Sequence, residues 1–555
     1  MTVADPAPAR VNLGELLPRH AASAPARTAI IAPDGKQGWL RCSYAELEAR
    51  ASRVASGLAS MGVLPGDRAV VFVRPGIDLV VVFQGLLRLG AVPVVADPGM
   101  GRERLLACLS KVAPKVFIGV PKAHVARRLF PRAFRSVELA ITVGRRLFWG
   151  GPTLAQVEAA GIEGHNPANT SADDPAAILF TSGSTGPPKG VEYTHGMFCG
   201  QVDALKALYD FKPDEIDMCG LPVFALFDAA LEMTSLFPEV DPSRPGTCDP
   251  ARVYAAIAEH QPTTAFGSPA IWQRVVPWCR ENGYHLHSLK RVLVAGAPVP
   301  TSLMQEFHAL LLLDSDVFTP YGATESLPVT SIAGREVVPT LEPRVHGGEG
   351  TCVGLPAPGI EIRLIQIGDT PIAQWSPELE VAEGELGEVC VRGAVVTRSY
   401  AGQPEATAGA KIAEDGTIWH RMGDIGRFDE EGRLWFHGRK SHRLFTIEGL
   451  RMPVPAENVF NVHERTRRTA LVGIGPRGQQ LPVLIVEPIP GEMPKGEVMR
   501  KGFIMQLRTL GGRSSQTKDI KLFLFHPSLP VDPRHNAKIH REELKVWAEE
   551  QLGKS

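Results

Sequence analysis

Helical and strand-like segments alternate through the first part of the chain, and this alternation constrains the fold more than any other feature. Apolar residues between Tyr44 and Met61 recur at helical spacing, which predicts an amphipathic helix. A Pro-Gly-Asp turn signal follows, and the β-branched run from Ala69 to Val73 then predicts a buried strand. The order continues with helix-like 77–89, strand-like 91–95 and helix-like 101–109. Such repetition predicts a doubly wound α/β fold.

Later segments extend this pattern and indicate a second domain. Residues 176–180 and 291–294 are short apolar runs that predict buried strands, and each leads into a glycine-bearing loop. The composition changes after Gly438, where a basic segment leads into a shorter α/β stretch. We therefore expect one domain over residues 1–438 and a second over residues 439–555.

Charge and cysteine content exclude several classes of protein. The chain has 59 Lys and Arg against 60 Asp and Glu, so no global positive field attracts nucleic acid. The eight cysteines are scattered without a CxxC pair, which favours reduced thiols in the cytoplasm over a disulfide framework. The most apolar stretch, residues 80–96, is interrupted by polar residues, glycine and proline and predicts no transmembrane helix.

A loop rich in glycine and hydroxyl side chains follows the apolar run AAILF. Its backbone N–H groups, hydroxyl donors and single lysine suit a polyphosphate. It is not a Walker A sequence, because two prolines separate the lysine from the preceding glycine and no Ser or Thr follows. A surface loop of small residues is the alternative interpretation. The predicted phosphate-binding residues are Thr181, Ser182, Gly183, Ser184, Thr185, Gly186 and Lys189.

Two further segments carry side chains that suit a nucleotide. The segment YGATE, residues 321–325, follows a short apolar run around Val317. Its aromatic ring can stack on a base, and its hydroxyl and carboxylate can hold phosphate and Mg²⁺. Asp424 follows a glycine and can accept hydrogen bonds from ribose hydroxyls. Taken alone, YGATE proves little, and the segment around Asp424 is interpreted as a turn.

In this order, the three segments resemble the adenylate-forming superfamily, which contains acyl-CoA synthetases, peptide-synthetase adenylation domains and firefly luciferase. The resemblance extends from Leu13 to Leu544, and the phosphate loop is its most specific part. It implies a large N-terminal α/β domain of doubly wound sheets plus a β-rich subdomain, and a small mobile α+β C-terminal domain. It also implies ATP and Mg²⁺ as cofactors, and a reaction that joins a carboxylate to AMP and releases pyrophosphate.

The resemblance also implies roles for individual residues. The tyrosine of YGATE lies against adenine, its threonine meets the α-phosphate and its glutamate binds Mg²⁺. Asp424 matches the ribose-binding aspartate, Arg439 lies beside the interdomain hinge, and Lys538 matches the lysine that catalyses adenylation. The implied catalytic residues are Lys538, Thr185, Lys189 and Glu325, with Glu325 as the metal ligand. Beyond the phosphate loop, the implied nucleotide-binding residues are Gly296, Ala297, Pro298, Tyr321, Gly322, Ala323, Thr324, Asp424 and Arg439.

Departures from the superfamily pattern narrow the resemblance. After Leu-Pro, the frequent Phe-His pair is replaced by Phe224 and Ala225. The hinge position holds Ser441 rather than Asp or Lys, and Ala537 replaces the glycine before the catalytic lysine. With the segments VFALFDAALEM and VDPRHNAKIHREEL, these features most resemble the β-lactone synthetases of bacterial long-chain olefin biosynthesis. That resemblance implies a long-chain β-hydroxy acid substrate and a complex with other enzymes of the olefin pathway.

The product of the second half-reaction has two interpretations. In a β-lactone synthetase, the β-hydroxyl of the acyl-AMP attacks its own activated carbonyl and displaces AMP. In an acyl-CoA ligase, the thiol of coenzyme A attacks the same intermediate. A nucleotide-binding scaffold without catalysis is a third alternative, and the retention of Lys189, Glu325, Asp424 and Lys538 argues against it.

The apolar residues of the substrate side have competing interpretations. Phe224, Phe227, Phe266 and Trp272 either line an acyl pocket or pack in the core. We find no aspartate placed after LPVF in the manner of amino-group recognition, unless Asp228 serves that role. An aliphatic acid is therefore favoured over an amino acid.

Three other features are weaker. His195 follows the phosphate loop and either contacts substrate or is simply packed or solvated. The segment GIGPRG, residues 473–478, fits a dinucleotide fingerprint, but its proline predicts a turn between strands. The basic run 465–468 predicts a solvated helix face rather than a nucleic-acid site.

Overall fold

The computed structural model describes residues 11–35, 38–96, 100–181, 188–532 and 538–553. The strands in these ranges are β1 Thr28–Pro33, β2 Trp39–Ser43, β3 Arg68–Phe72, β4 Val92–Ala96, β5 Val116–Gly119, β6 Leu139–Thr142, β7 Pro175–Thr181, β8 Lys189–Thr194, β9 Ile216–Cys219, β10 Thr234–Leu236, β11 Thr264–Gly267, β12 Arg291–Val294, β13 Asp316–Ala323, β14 Ser326–Ala333, β15 Thr351–Pro356, β16 Ile360–Ile365, β17 Gly387–Gly393, β18 Lys411–Glu414, β19 Thr417–Phe428, β20 Leu434–Arg439, β21 Leu444–Thr446, β22 Gly449–Arg451, β23 Thr466–Ile474, β24 Leu481–Pro488 and β25 Leu522–Phe525. The helices are α1 Leu16–Ser23, α2 Tyr44–Ser60, α3 Ile77–Leu89, α4 Arg102–Val112, α5 Pro121–Leu129, α6 Leu154–Ala160, α7 His195–Tyr209, α8 Ala225–Leu231, α9 Pro250–His260, α10 Pro269–Glu281, α11 Thr301–Leu310, α12 Gly334–Glu336, α13 Glu342–His346, α14 Pro404–Ala410, α15 Pro453–Asn461, α16 Gly496–Gly511 and α17 Arg541–Gly553.

The predicted alternation of helices and strands is confirmed, with small shifts at the ends of elements. Helix α2 begins with a capping box, in which the Glu46 N–H donates to the Ser43 hydroxyl and the Ser43 N–H donates to the Glu46 carboxylate. Helix α3 has the predicted bounds, and every residue from Val80 to Leu89 is buried. The interrupted apolar stretch at residues 80–96 therefore belongs to buried helix α3 and to strand β4.

A six-stranded sheet with the order β6-β5-β3-β4-β7-β8 carries the phosphate loop. Strands β3 to β7 are parallel, and β8 pairs antiparallel with β7. Because parallel strands end at the same edge of a sheet, the connections that follow β4, β5, β6 and β7 begin along one edge. The phosphate loop thus starts at the carboxyl edge, where open α/β sheets bind ligands.

The second sheet joins a parallel half to an antiparallel half. Strands β1, β10, β9, β11, β12 and β13 are parallel neighbours. From β13 onward the sheet is antiparallel through β14, β15, β20, β19, β17 and β16. The YGATE residues lie where the parallel half changes to the antiparallel half, because they occupy the end of β13 and the turn into β14.

A separate three-stranded sheet, β23-β24-β25, forms the C-terminal region together with α15, α16 and α17. This region packs on the larger one, where Asn458 Nδ2 donates to the Gly350 carbonyl at 3.1 Å and Ser514 Oγ donates to the Gly347 carbonyl at 2.9 Å. The predicted fold class, a large sheet-rich N-terminal domain with a smaller C-terminal domain, is confirmed. The precise boundary after residue 438 stays a prediction.

One prediction for the C-terminal region is wrong. The basic run 465–468 leads into strand β23 rather than forming a helix face, and Arg468 Nε lies 2.7 Å from a carboxylate oxygen of Glu487. A strand forms because the run continues into alternating apolar residues that pair with β24. The neighbouring GIGPRG segment is a turn between β23 and β24, as its proline predicts. None of the helices in the described ranges is both long and apolar enough to span a membrane.

Candidate active site

The phosphate loop is framed by the antiparallel pair β7 and β8, in which Thr181 lies opposite Lys189. This register places the lysine at the base of the loop. Its Nζ lies 4.7 Å from the centre of the Tyr400 ring, a cation–π distance. The predicted residues between the two strands lie outside the described residues: Ser182, Gly183, Ser184, Thr185 and Gly186.

Glu325 is held by a second segment that contains Thr397 and Tyr400. The Tyr400 hydroxyl donates to Glu325 Oε1 at 2.7 Å. The Thr397 N–H and hydroxyl both donate to the Glu325 carbonyl, at 2.9 and 3.1 Å. Burial and the adjacent carboxylate of Glu325 raise the pKa of Tyr400 far above its ordinary value. The phenol therefore stays protonated and orients a carboxylate beside the phosphate loop.

Lys411 lies on the other side of this segment and is nearly inaccessible to solvent, with 8% of its surface exposed. Its Nζ donates to the Thr397 carbonyl and lies 5.9 Å from the centre of the Tyr400 ring. Burial lowers the pKa of Lys411 to about 7, although Glu325 opposes this shift. Tyr400 thus contacts two lysines, Lys189 and Lys411, through its ring and one carboxylate through its hydroxyl.

Asp424 on β19 is paired with Tyr321 and Arg439, the residues that neighbour it in space. The Tyr321 hydroxyl donates to Asp424 Oδ2 at 2.6 Å. Arg439 lies opposite Asp424 in the β19-β20 register, and its Nη1 lies 3.0 Å from Asp424 Oδ1. Burial raises the pKa of the Asp424 carboxyl, and the arginine opposes that shift. The structure therefore brings together three residues predicted to bind nucleotide.

Oδ1 of Asp424 is suited to accept hydrogen bonds from a ribose. Asp424 is 2% exposed, and its Oδ1 accepts no hydrogen bond from the described residues, since the approach of Arg439 is electrostatic rather than a well-aligned bond. A buried carboxylate oxygen without a donor is costly, and vicinal hydroxyls would supply donors. The carboxylate of Glu325 together with phosphate oxygens is the type of donor set that Mg²⁺ takes. The residues present therefore fit both ATP and Mg²⁺.

The predicted adenine-side residues lie on the neighbouring strand. Strand β12 is parallel to β13, so the loop with Gly296, Ala297 and Pro298 begins beside the segment that ends in Tyr321. Gly296 has a φ of 91°, a conformation that glycine adopts without strain. A Cβ on Gly322 would lie 2.6 Å from the Ser326 carbonyl oxygen, so the chain reverses too tightly here for a side chain.

Ala323 is the last residue of β13, and Thr324 begins the turn into β14. The Tyr193 hydroxyl on β8 donates to the Thr324 carbonyl. This bond joins the strand that carries Lys189 to the turn that carries Glu325. The two sheets therefore meet at the candidate site.

The C-terminal region approaches the hinge near Arg439. Lys538 lies beside Asp532, whose N–H donates to the Lys538 carbonyl at 2.9 Å. Arg541, three residues further on, pairs with Glu457 at 2.6 Å. Burial, Arg541 and Arg439 together lower the pKa of the hinge residue His442 to about 3. Arg541 at the start of α17 and Arg439 thus both lie within electrostatic range of the His442 ring.

The segment predicted to form the hinge is anchored to the larger domain. Lys440 Nζ lies 2.7 Å from the carboxylate of Glu388, which also pairs with Arg421 at 2.6 Å. Glu388 is 1% exposed, so this is a buried cluster of one acid and two bases. At the surface, Arg443 pairs with Asp369 at 2.5 Å. Ser441, the altered hinge position, is exposed between these anchors.

The aromatic residues considered for an acyl pocket separate into two groups. Phe224 is half-buried and stacks on Phe266 with ring centres 3.5 Å apart, and Phe227 lies 6.0 Å from Phe224. Trp272 is fully buried and packs edge-on against Phe307 within the core of the second sheet. The first three residues form one aromatic cluster that includes the last residue of the LPVF segment, and Trp272 is a core residue.

His195 and Asp228 are also explained by packing. The Leu13 N–H lies 3.2 Å from His195 Nδ1, and burial lowers the pKa of this histidine to about 4. Asp228 accepts a 2.7 Å hydrogen bond from the Ser235 hydroxyl and one of 3.1 Å from the Cys219 thiol. Burial raises the pKa of Asp228 to about 6. Its carboxyl is thus bonded inside the protein rather than offered to a substrate amine.

Sequence reasoning did not identify Thr397, Tyr400 or Lys411. They flank α14 in the segment TRSYAGQPEATAGAK, which contains no glycine-hydroxyl alternation of the kind seen in the predicted phosphate loop. The available signal was a lysine among small and apolar residues at the start of a strand, and a buried lysine needs a local reason.

Comparison with known proteins agrees with the predicted type of nucleotide site over most of the chain. Residues 17–401 match the family model described as AMP-binding enzyme. An olefin beta-lactone synthetase of Xanthomonas campestris pv. campestris is 45% identical, with 97% of this chain and 98% of that protein covered. A second, from Stenotrophomonas maltophilia, is 44% identical over 98% of this chain and 99% of that protein. The solved amide bond synthetase McbA of Marinactinospora thermotolerans is 20% identical with a TM-score of 0.78, covers 97% of this chain and 99% of its own, and is similar in fold.

Proposed function

Because the chain belongs to the AMP-binding enzyme family, we propose that it activates a long-chain β-hydroxy acid with ATP and closes it to a β-lactone. A β-lactone product is supported by the 45% identity with an olefin beta-lactone synthetase over 97% of this chain. An acyl-CoA ligase is the less favoured alternative.

The proposed reaction has two steps. In the first, a carboxylate oxygen attacks the α-phosphorus of ATP and the bond to pyrophosphate breaks, which gives acyl-AMP. In the second, the β-hydroxyl oxygen attacks the acyl carbon, the bond to the AMP oxygen breaks, and the hydroxyl proton passes to a base. The acceptor is part of the substrate, so the second step needs proximity rather than another ligand.

Each half of the site has a proposed task. Asp424 accepts hydrogen bonds from the ribose hydroxyls, and Tyr321 and Arg439 hold its carboxylate in place. Lys189 and the phosphate loop bind the phosphates, and Lys538 stabilises charge at the α-phosphorus as the carboxylate attacks. These assignments explain why Asp424 is buried with an oxygen that lacks a donor among the described residues.

Glu325 is the proposed ligand of Mg²⁺, and Thr397 and Tyr400 orient it. Mg²⁺, when bound, neutralises charge on the polyphosphate and so lowers the repulsion between ATP and an anionic acid. Tyr400 and Thr397 determine which way the carboxylate points, through bonds of 2.7 Å to the side chain and 2.9 Å to the backbone. Lys189 and Lys411 supply positive charge on either side.

The substrate side supports an aliphatic acid. The aromatic cluster of Phe224, Phe227 and Phe266 supplies apolar surface. Asp228 is bonded to Ser235 and Cys219, so it does not provide the free carboxylate that an amino acid substrate requires. We also propose a cytoplasmic location, because all eight cysteines are free thiols and seven of them are buried.

The experiment that tests this function is mass spectrometry of the products from purified protein, ATP, Mg²⁺ and a racemic long-chain β-hydroxy acid, with and without coenzyme A. We expect a β-lactone, AMP and pyrophosphate without coenzyme A. The matched fatty acid without the hydroxyl should stop at acyl-AMP. A thioester that forms only with coenzyme A would identify an acyl-CoA ligase, and background pyrophosphate exchange with every acid would identify a non-catalytic scaffold.

A further inference from the structure

Residues 121–149, which include helix α5, the edge strand β6 and the loop after it, form a strongly basic surface. This segment has seven basic side chains and one acidic side chain, although the whole chain has a net charge of −1. We refer to it as the basic surface. Its basic residues are Lys122, Arg127, Arg128, Arg132, Arg135, Arg145 and Arg146, and its acidic residue is Glu138.

Large apolar side chains are exposed on the same surface. Phe148 is 78% exposed, Leu129 68%, Leu147 48% and Val125 40%. Single exposed apolar residues are common on proteins, whereas exposed apolar residues grouped together and rimmed by polar side chains mark interaction sites. Leu147 and Phe148 are adjacent in a loop, and both are of the type that inserts into an apolar medium.

The loop that carries Leu147 and Phe148 is fixed against α5. The Trp149 ring stacks on the His124 ring with centres 5.1 Å apart and planes 5° apart. Trp149 Nε1 donates to the Thr142 hydroxyl at 2.9 Å, and an Arg128 Nη2 donor reaches the Trp149 carbonyl at 3.0 Å. Buried Trp149 therefore holds the two exposed apolar residues beside the arginines of the helix.

The positive charge of this surface is uncompensated. Within the described ranges, none of its seven basic side chains lies within 4.0 Å of a carboxylate oxygen, whereas other arginines such as Arg50 and Arg421 are paired. Burial lowers the pKa of Arg127, and the like charge of neighbouring Arg128 adds to this shift. A cluster of like charges without counter-ions is complementary to an anionic partner.

We propose that the basic surface docks the protein on an anionic lipid bilayer, with Leu147 and Phe148 inserted and the arginines at the headgroups. Apolar side chains surrounded by Arg and Lys are the combination that binds such an interface, because acyl chains take the former and headgroup phosphates the latter. A nucleic acid would be complementary to the charge but not to exposed Leu129 and Val125.

The basic surface is separate from the candidate active site. Strand β6 is the edge strand of its sheet, and β7, which leads into the phosphate loop, lies four positions away. At a strand spacing of about 4.8 Å, this separation is roughly 19 Å. The proposal therefore does not depend on the proposed function, although a membrane-bound enzyme would meet a long-chain acid where such acids partition.

The test is flotation of the full chain with vesicles of phosphatidylcholine, alone or mixed with phosphatidylglycerol. We expect binding to the mixed vesicles that weakens with added salt. The double variant Arg145→Gln with Arg146→Gln should bind these vesicles about 25-fold more weakly, at about fivefold per charge. The double variant Leu147→Ser with Phe148→Ser should lose about tenfold or more.

Leu313→Ser is the matched control, because Leu313 is 90% exposed but lies beside Asp314 and outside the basic surface. All variants should keep wild-type thermal unfolding and pyrophosphate exchange with a soluble short-chain acid. Equal binding to both kinds of vesicle, or unchanged binding by both double variants, would overturn the proposal. Competition by a DNA duplex, with Leu147→Ser and Phe148→Ser unaffected, would instead identify a nucleic-acid surface.

Discussion

The hydroxyl of Tyr400 donates a 2.7 Å hydrogen bond to Oε1 of Glu325, although 75 residues separate them in sequence. The ring of the same tyrosine contacts Lys189 at the base of the phosphate loop. One side chain therefore links the proposed metal ligand to the proposed phosphate ligand. Its hydroxyl determines the orientation of the carboxylate that we propose as the ligand of Mg²⁺.

Tyr400→Phe removes this bond while it keeps the ring. We expect pyrophosphate exchange to fall about tenfold at limiting Mg²⁺ and to recover as Mg²⁺ is raised, because a hydrogen bond to a charged group contributes about 1.5–3 kcal/mol. Tyr209→Phe is the matched control, since the Tyr209 hydroxyl bonds to Ser331 at 2.9 Å in the core. An unchanged Mg²⁺ dependence in Tyr400→Phe would contradict the orienting role.

Asp424→Asn tests the ribose assignment. The amide keeps the volume but loses the charge that ribose hydroxyls would meet, so the KM for ATP should rise about 10- to 100-fold. Asp429→Asn is the control, because Asp429 is also a buried carboxylate paired with an arginine, Arg433, at 2.9 Å. That variant should lose stability without a comparable change in KM. A wild-type KM in Asp424→Asn would refute the assignment.

Lys538→Ala tests the catalytic lysine. Because a donor aimed at developing charge contributes about 100- to 1000-fold to a rate, we expect pyrophosphate exchange to fall by that factor while ATP binding by calorimetry changes little. Lys545→Ala, on helix α17, serves as the matched control. Equal activity of the two variants would remove Lys538 from the catalytic set.

Lys411 makes the stability of the protein depend on pH. Its pKa is lowered to about 7 in the folded state from an ordinary value of 10.5, so between these two values the unfolded chain binds more protons. The free energy of unfolding should therefore rise with pH across this interval, by up to about 4 kcal/mol between pH 7 and 10. Denaturant titrations of wild type and Lys411→Met should diverge over that range. Parallel profiles would show that the lysine does not titrate there.

The ion pairs of Glu388 and Asp369 beside the predicted hinge should contribute different amounts to the free energy of unfolding. Glu388→Gln leaves buried Arg421 and partly buried Lys440 without their acid, which should cost about 3–5 kcal/mol of unfolding free energy. Asp369→Asn removes an exposed partner of Arg443 and should cost less than about 1 kcal/mol. Chemical denaturation measures both values. Similar losses in the two variants would contradict the assignment of the buried cluster as the main anchor.

Features carried by contiguous residues were predictable. The helix from Ile77 to Leu89 and the strand from Arg291 to Val294 have their predicted bounds, because their apolar periodicity is local. The turn at residues 473–478 was predictable from its proline. The basic run 465–468 was misjudged, because charge alone does not distinguish an exposed helix face from a strand whose arginines meet an acid on the next strand.

The sequence by itself determined the α/β class, and it predicted the position of a phosphate loop and site residues such as Glu325 and Asp424, since periodicity and short motifs act over a few residues. Tertiary structure alone decided what holds those residues. Tyr321 reaches Asp424 across 103 positions and Tyr400 reaches Glu325 across 75. Hydrogen bonds over such separations form only when strands from distant segments become neighbours in a sheet, and they leave no periodic trace in the chain. Burial, which lowers the pKa of Lys411, is likewise a property of the packed molecule.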